Sequence, residues 1–338
     1  MSEFILADAL RDFSAYGEII HTEGKTAQII NNGYALKHGN VATIDADTAQ
    51  LNLFRGVSRI SPTPLFMMER HPLASQAFFP LNQKPWLAVV ADTDKIGGVG
   101  EIHAYQINGD IGLNYRRGVW HHPLLAVSVQ DFIVADKANT QADNDNLEEH
   151  YFNADEVRWL FFDEAAMNPD ADKPLAKNPN MLNKKEFITA FGGIFEHSEW
   201  VAKTLWQQHK QQADTVIGLH QAMAHIVLAA KPSIQENLIA AHPPLAAARL
   251  ETLGAFSQNE QQKAGLASLS AEEKHAFDEL NATYTQKFGF PFIVSVAGQN
   301  KDGILAAMKR RLSNTGAGEK TEALYQIFKI ARNRLANL

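Results

Sequence analysis

The first half of the chain consists of short apolar runs interrupted by glycine, proline and asparagine. Runs of this kind, closely spaced and with no helical period between them, are typical of a β-sandwich or a small barrel. We predict strands at Gln28–Ile30, Leu51–Ile60, Leu65–Glu69, Gln76–Leu81, Trp86–Ala91, Glu101–Ile107, Leu113–Trp120, Leu124–Asp136 and Val157–Phe162.

The second half of the chain has a helical period. Apolar residues recur at helical spacings within Phe187–Leu205, Phe277–Phe288 and Leu324–Leu335, as expected of helices that bury one face. Ser270 and Glu273 have the spacing of a capping box, so a helix is expected to begin there. The chain is therefore predicted to be a multi-domain α+β protein, in which an all-β domain precedes an all-α domain.

The segment from Asn168 to Pro179 separates the two patterns. It contains three prolines, charges of both signs and few apolar residues, which is typical of an exposed linker. We predict domains at residues 1–167 and 181–338, with residues 168–180 as the linker between them.

Composition narrows the possible chemistry. The 338 residues include no cysteine, which excludes disulfides, thiol nucleophiles and thiolate-bound metal clusters. No apolar run approaches the roughly 20 residues that cross a bilayer, and the first residues lack the basic region of a signal peptide. We expect a cytoplasmic protein that does not bind membranes.

Charge is distributed unevenly along the chain. Residues 1–170 have 12 Lys and Arg against 23 Asp and Glu, a net charge of -11, while residues 171–338 have 19 against 15, a net charge of +4. Neither half has the dense basic surface that a phosphate backbone requires, so no nucleic acid partner is expected.

Three segments of the α half carry candidate chemistry. His242 precedes Pro243, so it is expected at the end of a helix, where the helix dipole favours a protonated imidazole. Ser257, Glu260 and Gln261 share one helical face. In the segment 288–293, glycine and proline break any helix and leave backbone groups for a ligand.

In this order, these motifs resemble those of the 2-oxo-4-hydroxy-4-carboxy-5-ureidoimidazoline (OHCU) decarboxylases. The resemblance covers residues 181–338 and also includes Gly192–Val201, Arg311–Asn314 and Lys329–Leu335. It implies decarboxylation to (S)-allantoin at a site lined by His242, Ser257, Glu260, Gln261 and Arg334.

The resemblance also implies roles for these residues. His242 would donate the proton, and Arg334 would bind an anionic oxygen. Glu260 would orient the imidazole of His242 or hold the N–H groups of the ureido group. Backbone groups of the 288–293 segment would bind the ring amides, so we include Phe288, Gly289, Phe290, Phe292 and Ile293 in the site. Pro244 stands where the family commonly has Asp. If that Asp holds the histidine, catalysis is weaker in this chain; if it only shapes the loop, activity is kept.

The β half has two polar clusters, Glu69–Phe78 and Asn114–Leu124. Alternation along a strand predicts that Glu69 and His71 point to one side, and that Arg117, Val119 and His121 share a face. The mouth of a small barrel would bring both sets together.

These clusters resemble those of the ureidoglycolate lyases, together with Phe13–Ile20 and Ile30–Gly33. The resemblance covers residues 1–165 and implies a cupin-like β-barrel, a homodimer, and cleavage of ureidoglycolate to glyoxylate and urea. We expect His71 or His121 to transfer the proton, with Glu69 as partner carboxylate. Arg116 or Arg117 would bind the substrate carboxylate, and Asn31 or Asn32 the amide.

Histidines and a carboxylate in a cupin-like mouth can also bind a divalent metal. We favour a site without metal or other cofactor, because Gln76 stands where a metal-binding cupin commonly has a carboxylate, and because elimination of urea needs no Lewis acid. Gln76 is then a substrate-binding residue. Decarboxylation also needs no cofactor, since the substrate ring can delocalise the electron pair.

The sequence therefore predicts a bifunctional lyase of purine degradation that acts on small ureido compounds. The alternative is a decarboxylase fused to a non-catalytic domain that senses ureidoglycolate or glyoxylate. A third interpretation, two scaffolding domains, would require that His242→Ala and His121→Ala leave activity and ligand binding unchanged.

Overall fold

The computed structural model describes the following residues: 4–138, 145–153, 156–208, 213–243, 245 and 266–338. The chain forms two compact units. The first takes in Glu3–Phe152 and Val157–Asn168, and the second is mainly Pro169–Leu338.

The first unit is built of short strands. In chain order they are β1 (Phe4–Leu6), β2 (Asp8–Ala9), β3 (Gly17–Ile20), β4 (Gln28–Ile30), β5 (Ala35–Lys37), β6 (Ala49–Gly56), β7 (Thr63–Leu65), β8 (Met67–Arg70), β9 (Gln76–Pro80), β10 (Trp86–Thr93), β11 (Val99–Ile107), β12 (Gly112–Tyr115), β13 (Trp120–His121), β14 (Leu125–Ala126), β15 (Gln130–Lys137), β16 (Glu148–Tyr151) and β17 (Arg158–Phe161). A short helix, α1 (Glu164–Met167), follows the last strand.

Most of these strands belong to two sheets. One has the order β16-β8-β13-β10-β11-β2, with β14 also paired to β10, and the other has the order β3-β12-β9-β15-β6. Strands β1, β17 and β7 form a smaller sheet, and β4 and β5 form a hairpin.

The central strand β10 is buried on both faces because it separates two apolar cores. Trp86, Ala88 and Val90 pack with residues of the five-stranded sheet such as Phe78 and Phe132. The alternate residues Leu87, Val89 and Ala91 pack against the three-stranded sheet. This alternation follows from the two-residue period of a strand. The first core lies between two facing sheets, as expected of a barrel-like fold.

The second unit is helical. Its helices in the described part of the chain are α2 (Lys184–Phe191), α3 (Trp200–Gln207), α4 (Val216–Ala229), α5 (Pro232–Ala240), α6 (Ala271–Phe288), α7 (Lys301–Arg311) and α8 (Gly316–Ala336). The predicted order of an all-β domain and an all-α domain is confirmed. The capping box at Ser270 and Glu273 is confirmed as well, because each side chain accepts a hydrogen bond from the other's backbone N–H.

Helices α4 and α8 lie side by side in the core of this unit. Leu219 and Met223 on α4 and Ile327 and Phe328 on α8 are almost fully buried. The ring of His220 bonds through Nε2 to the carbonyl oxygen of Phe328 at 2.9 Å, which ties α4 to α8.

The segment 168–180 is more ordered than an exposed linker. It contains two short 3-10 helices, Pro169–Ala171 and Pro179–Met181. Leu175 is buried, and its backbone N–H donates to the carbonyl oxygen of Asp214 at 2.8 Å. The carboxylate of Asp172 accepts from the backbone N–H of Ile217 in the first turn of α4. These bonds attach the segment to the helical unit.

None of the helices in the described residues is long and apolar enough to cross a membrane.

Candidate active sites

Strand pairing brings together four of the predicted residues of the β unit: Glu69, His71, Gln76 and His121. His121 on β13 is the register partner of Glu69 on β8, and Tyr115 on β12 is the partner of Gln76 on β9. His71 follows the end of β8, and its backbone carbonyl accepts from the N–H of Gly118 at 2.9 Å. We call Glu69, His71, Gln76, Tyr115 and His121 the imidazole cluster.

The side chains of the imidazole cluster are in close contact. His121 Nε2 lies 3.2 Å from Gln76 Oε1 and 3.6 Å from Glu69 Oε1. The rings of His71 and His121 have centroids 5.4 Å apart. His121 is 2% exposed, so water is largely excluded from this contact.

Backbone carbonyls fix the tautomers of both histidines. His71 Nδ1 lies 2.7 Å from the carbonyl oxygen of Asn146, and His121 Nδ1 lies 2.9 Å from that of Val119. A carbonyl only accepts, so both Nδ1 atoms carry the proton and both Nε2 atoms present a lone pair when the rings are neutral. His71 Nε2 is buried with no hydrogen-bond partner in the described structure.

The tautomer of His121 determines which end of the Gln76 amide faces its ring. Because Nε2 of a neutral His121 is an acceptor, the Gln76 amide must be turned so that its NH2 group, rather than its oxygen, faces the ring. Gln76 can then hold His121 in place without protonating it.

Burial shifts the pKa values of the cluster in opposite directions. It lowers the pKa of His121 to about 3, with the neighbouring His71 and His122 as smaller causes. Burial also raises the pKa of Glu69 to about 7, with a further contribution from Glu149. At neutral pH, the cluster therefore pairs a neutral imidazole with a carboxyl group that titrates near that pH instead of being fully ionised.

Tyr115 was missed by the sequence prediction. Its ring stacks on that of His121, with centroids 4.4 Å apart and planes 11° apart. Burial raises the pKa of Tyr115, so it stays protonated. Alternation is the signal that could have revealed it, because Tyr115 lies two residues after the buried Leu113 on the same strand.

Two groups of residues in the described structure can bind a metal ion. In the first, ligand atoms of Glu69, His71 and His121 all lie within 4.8 Å of one another, and the carbonyl-anchored rings have the orientation that metal ligands commonly have. The second, Asp92, Glu101 and His103, lies at the surface, and Asp92 also accepts from the hydroxyl of Tyr16 at 2.8 Å.

The shared face of Arg117, Val119 and His121 is not found, and that prediction is wrong. Gly118 adopts a positive φ of 75°, so the chain turns between β12 and β13 instead of continuing as one strand. Arg117 is exposed and forms a bidentate ion pair with Asp45, at 2.8 and 3.0 Å. Arg116 donates to the carbonyl oxygens of Ser14 and Ala15. Their role in binding the substrate carboxylate stays a prediction.

Asn31 and Asn32 lie at the exposed turn between β4 and β5, both with positive φ. Asparagine tolerates this left-handed backbone better than most residues. In the part of the chain that is described, no contact joins them to the imidazole cluster. Their proposed role in amide recognition also remains untested.

In the helical unit, His242 follows the end of α5 as predicted. Its Nδ1 lies 3.0 Å from the carbonyl oxygen of Leu238 in the last turn of that helix, so Nδ1 carries the proton. Its Nε2 is buried and has no partner in the described residues.

The expected protonation of His242 is wrong. Burial lowers its pKa to about 4, and Arg334 and His197 lower it further, while Glu196 and the hydrogen bond to Leu238 act in the opposite direction. The helix end alone would favour a charged ring, but desolvation outweighs that effect. At neutral pH, His242 presents a lone pair at Nε2.

Arg334 on α8 is buried and bound by the segment after α2. Its Nη2 donates to Glu196 Oε2 at 2.9 Å, and its Nη1 donates to the carbonyl oxygen of Ile194 at 3.2 Å. Glu196 is only 6% exposed. Within the segment Gly192–Val201, the sequence pattern does not distinguish Glu196, because its partner Arg334 lies 138 residues away in the chain.

The remaining predicted residues of this site are Ser257, Glu260 and Gln261, and they lie outside the described residues, as does Pro244.

The aromatic residues of the 288–293 segment surround Tyr284 on α6. Ring centroids of Phe288, Phe290 and Phe292 lie 4.6, 5.9 and 5.1 Å from that of Tyr284. Gly289 ends α6 in a left-handed conformation. Phe290, Phe292 and Ile293 are buried. These side chains therefore form core, while the predicted use of their backbone in ligand binding is untested.

A buried polar network holds this segment in place. Arg311 Nη1 donates to the carbonyl oxygen of Ile293 at 2.6 Å. Glu319 accepts from Arg311, from the hydroxyl of Tyr284 and from the amide of Asn314. An Arg–Glu pair with these extra bonds satisfies its buried charges.

Comparison with known proteins assigns a family to each half. A family model for ureidoglycolate lyase matches residues 5–158. A ureidoglycolate lyase of Brucella ovis is 43% identical over 145 residues, which cover 41% of this chain and 83% of that protein. One from Pseudomonas fluorescens is 39% identical over 149 residues, 43% of this chain and 87% of that protein. This chain belongs to the ureidoglycolate lyase family.

After its ureidoglycolate lyase domain, the chain continues into an OHCU decarboxylase domain, whose family model matches residues 180–336. A solved (S)-allantoin synthase is 31% identical, with a TM-score of 0.39, over 47% of this chain and 52% of that chain. This chain thus spans about half of that protein. An OHCU decarboxylase structure determined in the presence of (S)-allantoin is 23% identical, with a TM-score of 0.36, over 43% of this chain and 93% of that chain. Both family predictions are confirmed.

Proposed function

We propose that the chain is a bifunctional lyase that acts on two ureido compounds. Its N-terminal domain would split ureidoglycolate into glyoxylate and urea, and its C-terminal domain would decarboxylate OHCU to (S)-allantoin. The observation that carries the lyase proposal is the imidazole cluster. Nε2 of His71 has no hydrogen-bond partner in the described residues, and Nε2 of His121 lies beside Gln76. The adjoining carboxyl group of Glu69 has its pKa raised to about 7.

The lyase reaction needs one base and one acid. Ureidoglycolate has a hydroxyl and a ureido nitrogen on the same carbon. Nε2 of His71 or His121 takes the hydroxyl proton, the C–O bond becomes a carbonyl, and the C–N bond breaks. Protonated Glu69 then gives its proton to the departing nitrogen, so that urea leaves neutral. Proton exchange with solvent restores the imidazole and the carboxyl group.

The decarboxylase reaction uses His242 as a base first and an acid second. OHCU has a hydroxyl and a carboxylate on one carbon. Nε2 of His242 takes the hydroxyl proton while CO2 leaves, and the electron pair is delocalised over the imidazoline ring. The imidazolium then gives the proton to the adjacent ring carbon from one side, which fixes the hand of allantoin. The ring nitrogen that received the electron pair takes a second proton from solvent, so allantoin leaves neutral. Ser257, Glu260, Gln261 and Arg334 would position the substrate.

The proposal includes a homodimer, a cytosolic location and neither metal nor organic cofactor. No step above requires a Lewis acid, since the protons move between side chains and substrate. Gel filtration with light scattering tests the dimer, cell fractionation tests the location, and chelation of the intact chain tests the metal.

The decisive experiment gives the intact chain each substrate separately. Glyoxylate and urea must appear from ureidoglycolate, and (S)-allantoin from OHCU, both faster than the uncatalysed reactions. If ureidoglycolate raises the melting temperature but releases no glyoxylate, the N-terminal domain is a sensor instead. Racemic allantoin formed at the uncatalysed rate would refute the decarboxylase.

A further inference from the structure

Glu196 and Arg334 form a buried ion pair between the segment after α2 and helix α8, and both charges act on His242 of the decarboxylase site. Arg334 is held at two points by one short segment, through the Ile194 carbonyl and the Glu196 carboxylate. Both partners of the ion pair are buried, with 2% and 6% of their side chains exposed. The ion pair is therefore shielded from solvent, and each buried charge has its partner in the interior.

The local backbone explains how one segment reaches Arg334 twice. His197, next in the chain, has a φ of 48°, and the N–H of Ser198 donates to the carbonyl oxygen of Phe195. The resulting turn puts the Ile194 carbonyl and the Glu196 side chain against the same guanidinium. His197 itself is 70% exposed, with Nε2 at 3.9 Å from Glu196 Oε1.

We propose that Glu196 is a positioning residue of the decarboxylase: it holds the Arg334 guanidinium in place and supplies the negative charge that stabilises His242 when that ring becomes protonated during turnover. The inference rests on the proposed decarboxylase function. The charged groups that act on His242 in the described residues are Arg334 and His197, which oppose its protonation, and Glu196, which favours it. Within this set, Glu196 thus carries the negative charge that can offset the effect of Arg334 on the protonation of His242.

The test compares Glu196→Gln with Glu196→Asp in the full-length chain. Gln can still accept the hydrogen bond from Arg334 but carries no charge, while Asp keeps the charge on a shorter side chain. We expect kcat for (S)-allantoin to fall about 10- to 100-fold in Glu196→Gln, with KM changed less than fivefold, and to recover in part in Glu196→Asp. Glu199→Gln is the matched control, because Glu199 is exposed and pairs with Lys203 at 2.8 Å.

A second measurement needs no substrate. NMR titration of the His242 ring should show a lower midpoint in Glu196→Gln than in the wild type, because the favourable charge has been removed. A variant that only melts earlier, with kcat and the titration midpoint unchanged, would show that Glu196 is merely structural and overturn the inference. Failure of the wild-type chain to decarboxylate OHCU would refute the proposed function instead, and the titration would still report on Glu196.

Discussion

The phenol ring of Tyr115 lies flat against the imidazole of His121, with the ring centroids 4.4 Å apart. Together with the carbonyl of Val119, this stack fixes the plane of the imidazole and the direction of its Nε2 lone pair. The orientation of this imidazole is therefore set by an aromatic residue from a different strand.

Replacing Tyr115 tests whether the stack matters for turnover. Tyr115→Phe keeps the ring and should change kcat for glyoxylate release less than threefold. Tyr115→Leu keeps much of the volume but loses the flat face, and we expect kcat to fall 10- to 100-fold because the imidazole is less well oriented. Tyr105→Leu is a matched control, since Tyr105 packs edge-on against Phe13 and not against His121. Equal kcat for Tyr115→Leu and the control would contradict the prediction.

The raised pKa of Glu69 predicts a loss of lyase activity at high pH. Glu69 must be protonated to act as the acid, so kcat should fall about tenfold per pH unit above the pKa of about 7. Glu69→Gln should lower kcat about 10²- to 10⁴-fold and remove the fall of kcat at high pH. A pH profile of kcat with unchanged shape in Glu69→Gln would exclude Glu69 as the acid.

The raised pKa of Glu69 also predicts how the free energy of unfolding depends on pH. In the folded chain Glu69 keeps its proton up to about pH 7, while its ordinary pKa in an unfolded chain is 4.5. The folded state therefore binds more protons between these two pH values. Stability should fall as pH rises through this window, by up to about 3 kcal/mol, because deprotonation leaves a buried charge. Urea unfolding of the wild type and Glu69→Gln at pH 5 and pH 8 measures this. The variant should lose less stability than the wild type between the two pH values.

The lowered pKa of His242 predicts that the decarboxylase keeps its activity in mild acid. A free histidine would be half protonated near pH 6.5, but His242 stays neutral until about pH 4. We expect kcat for (S)-allantoin to change less than twofold from pH 7 to pH 5.5. His242→Asn should lower kcat about 10²- to 10⁴-fold, whereas His275→Asn, an exposed histidine on α6, should not. A tenfold loss near pH 6.5 in the wild type would show that the ring is protonated there.

Chelation tests the expectation that the lyase works without metal. Glu69, His71 and His121 can bind a divalent cation, but the proposed proton transfers do not use one. We expect exhaustive chelation of the intact chain to leave kcat for glyoxylate release unchanged within twofold. The proposal would be replaced by a metal-dependent reaction if chelation abolished activity and a divalent cation restored it. In that case the cation should not restore activity in His71→Ala.

The sequence predicted the parts of the structure that depend on local pattern. The two-residue period placed the central strands, the capping box placed the start of α6, and the motif around Trp120 identified His121. It did not predict the break at Gly118, because the glycine was read as part of one continuous strand. That single turn directs Arg117 to Asp45 at the surface while His121 enters the interior.

The parts that were missed depend on contacts between distant residues and on burial. Glu196 is distinguished from other glutamates only by its contact with Arg334, and a single sequence does not show that pair. The charge of His242 was predicted from the helix end, which is local, but the outcome depends on desolvation by residues from other elements. Sequence pattern thus pointed to these histidines as candidates but did not predict their protonation states.

Gly118 also determines which way the imidazole of His121 points. The turn it makes carries the chain from the five-stranded sheet of β12 to the sheet of β8 and β10, with His121 opposite Glu69. One residue more or less in that turn would shift β13 by a single step and direct the imidazole outward, away from Tyr115 and Gln76. Such a deletion or insertion would leave every reactive side chain in the protein and yet abolish the lyase.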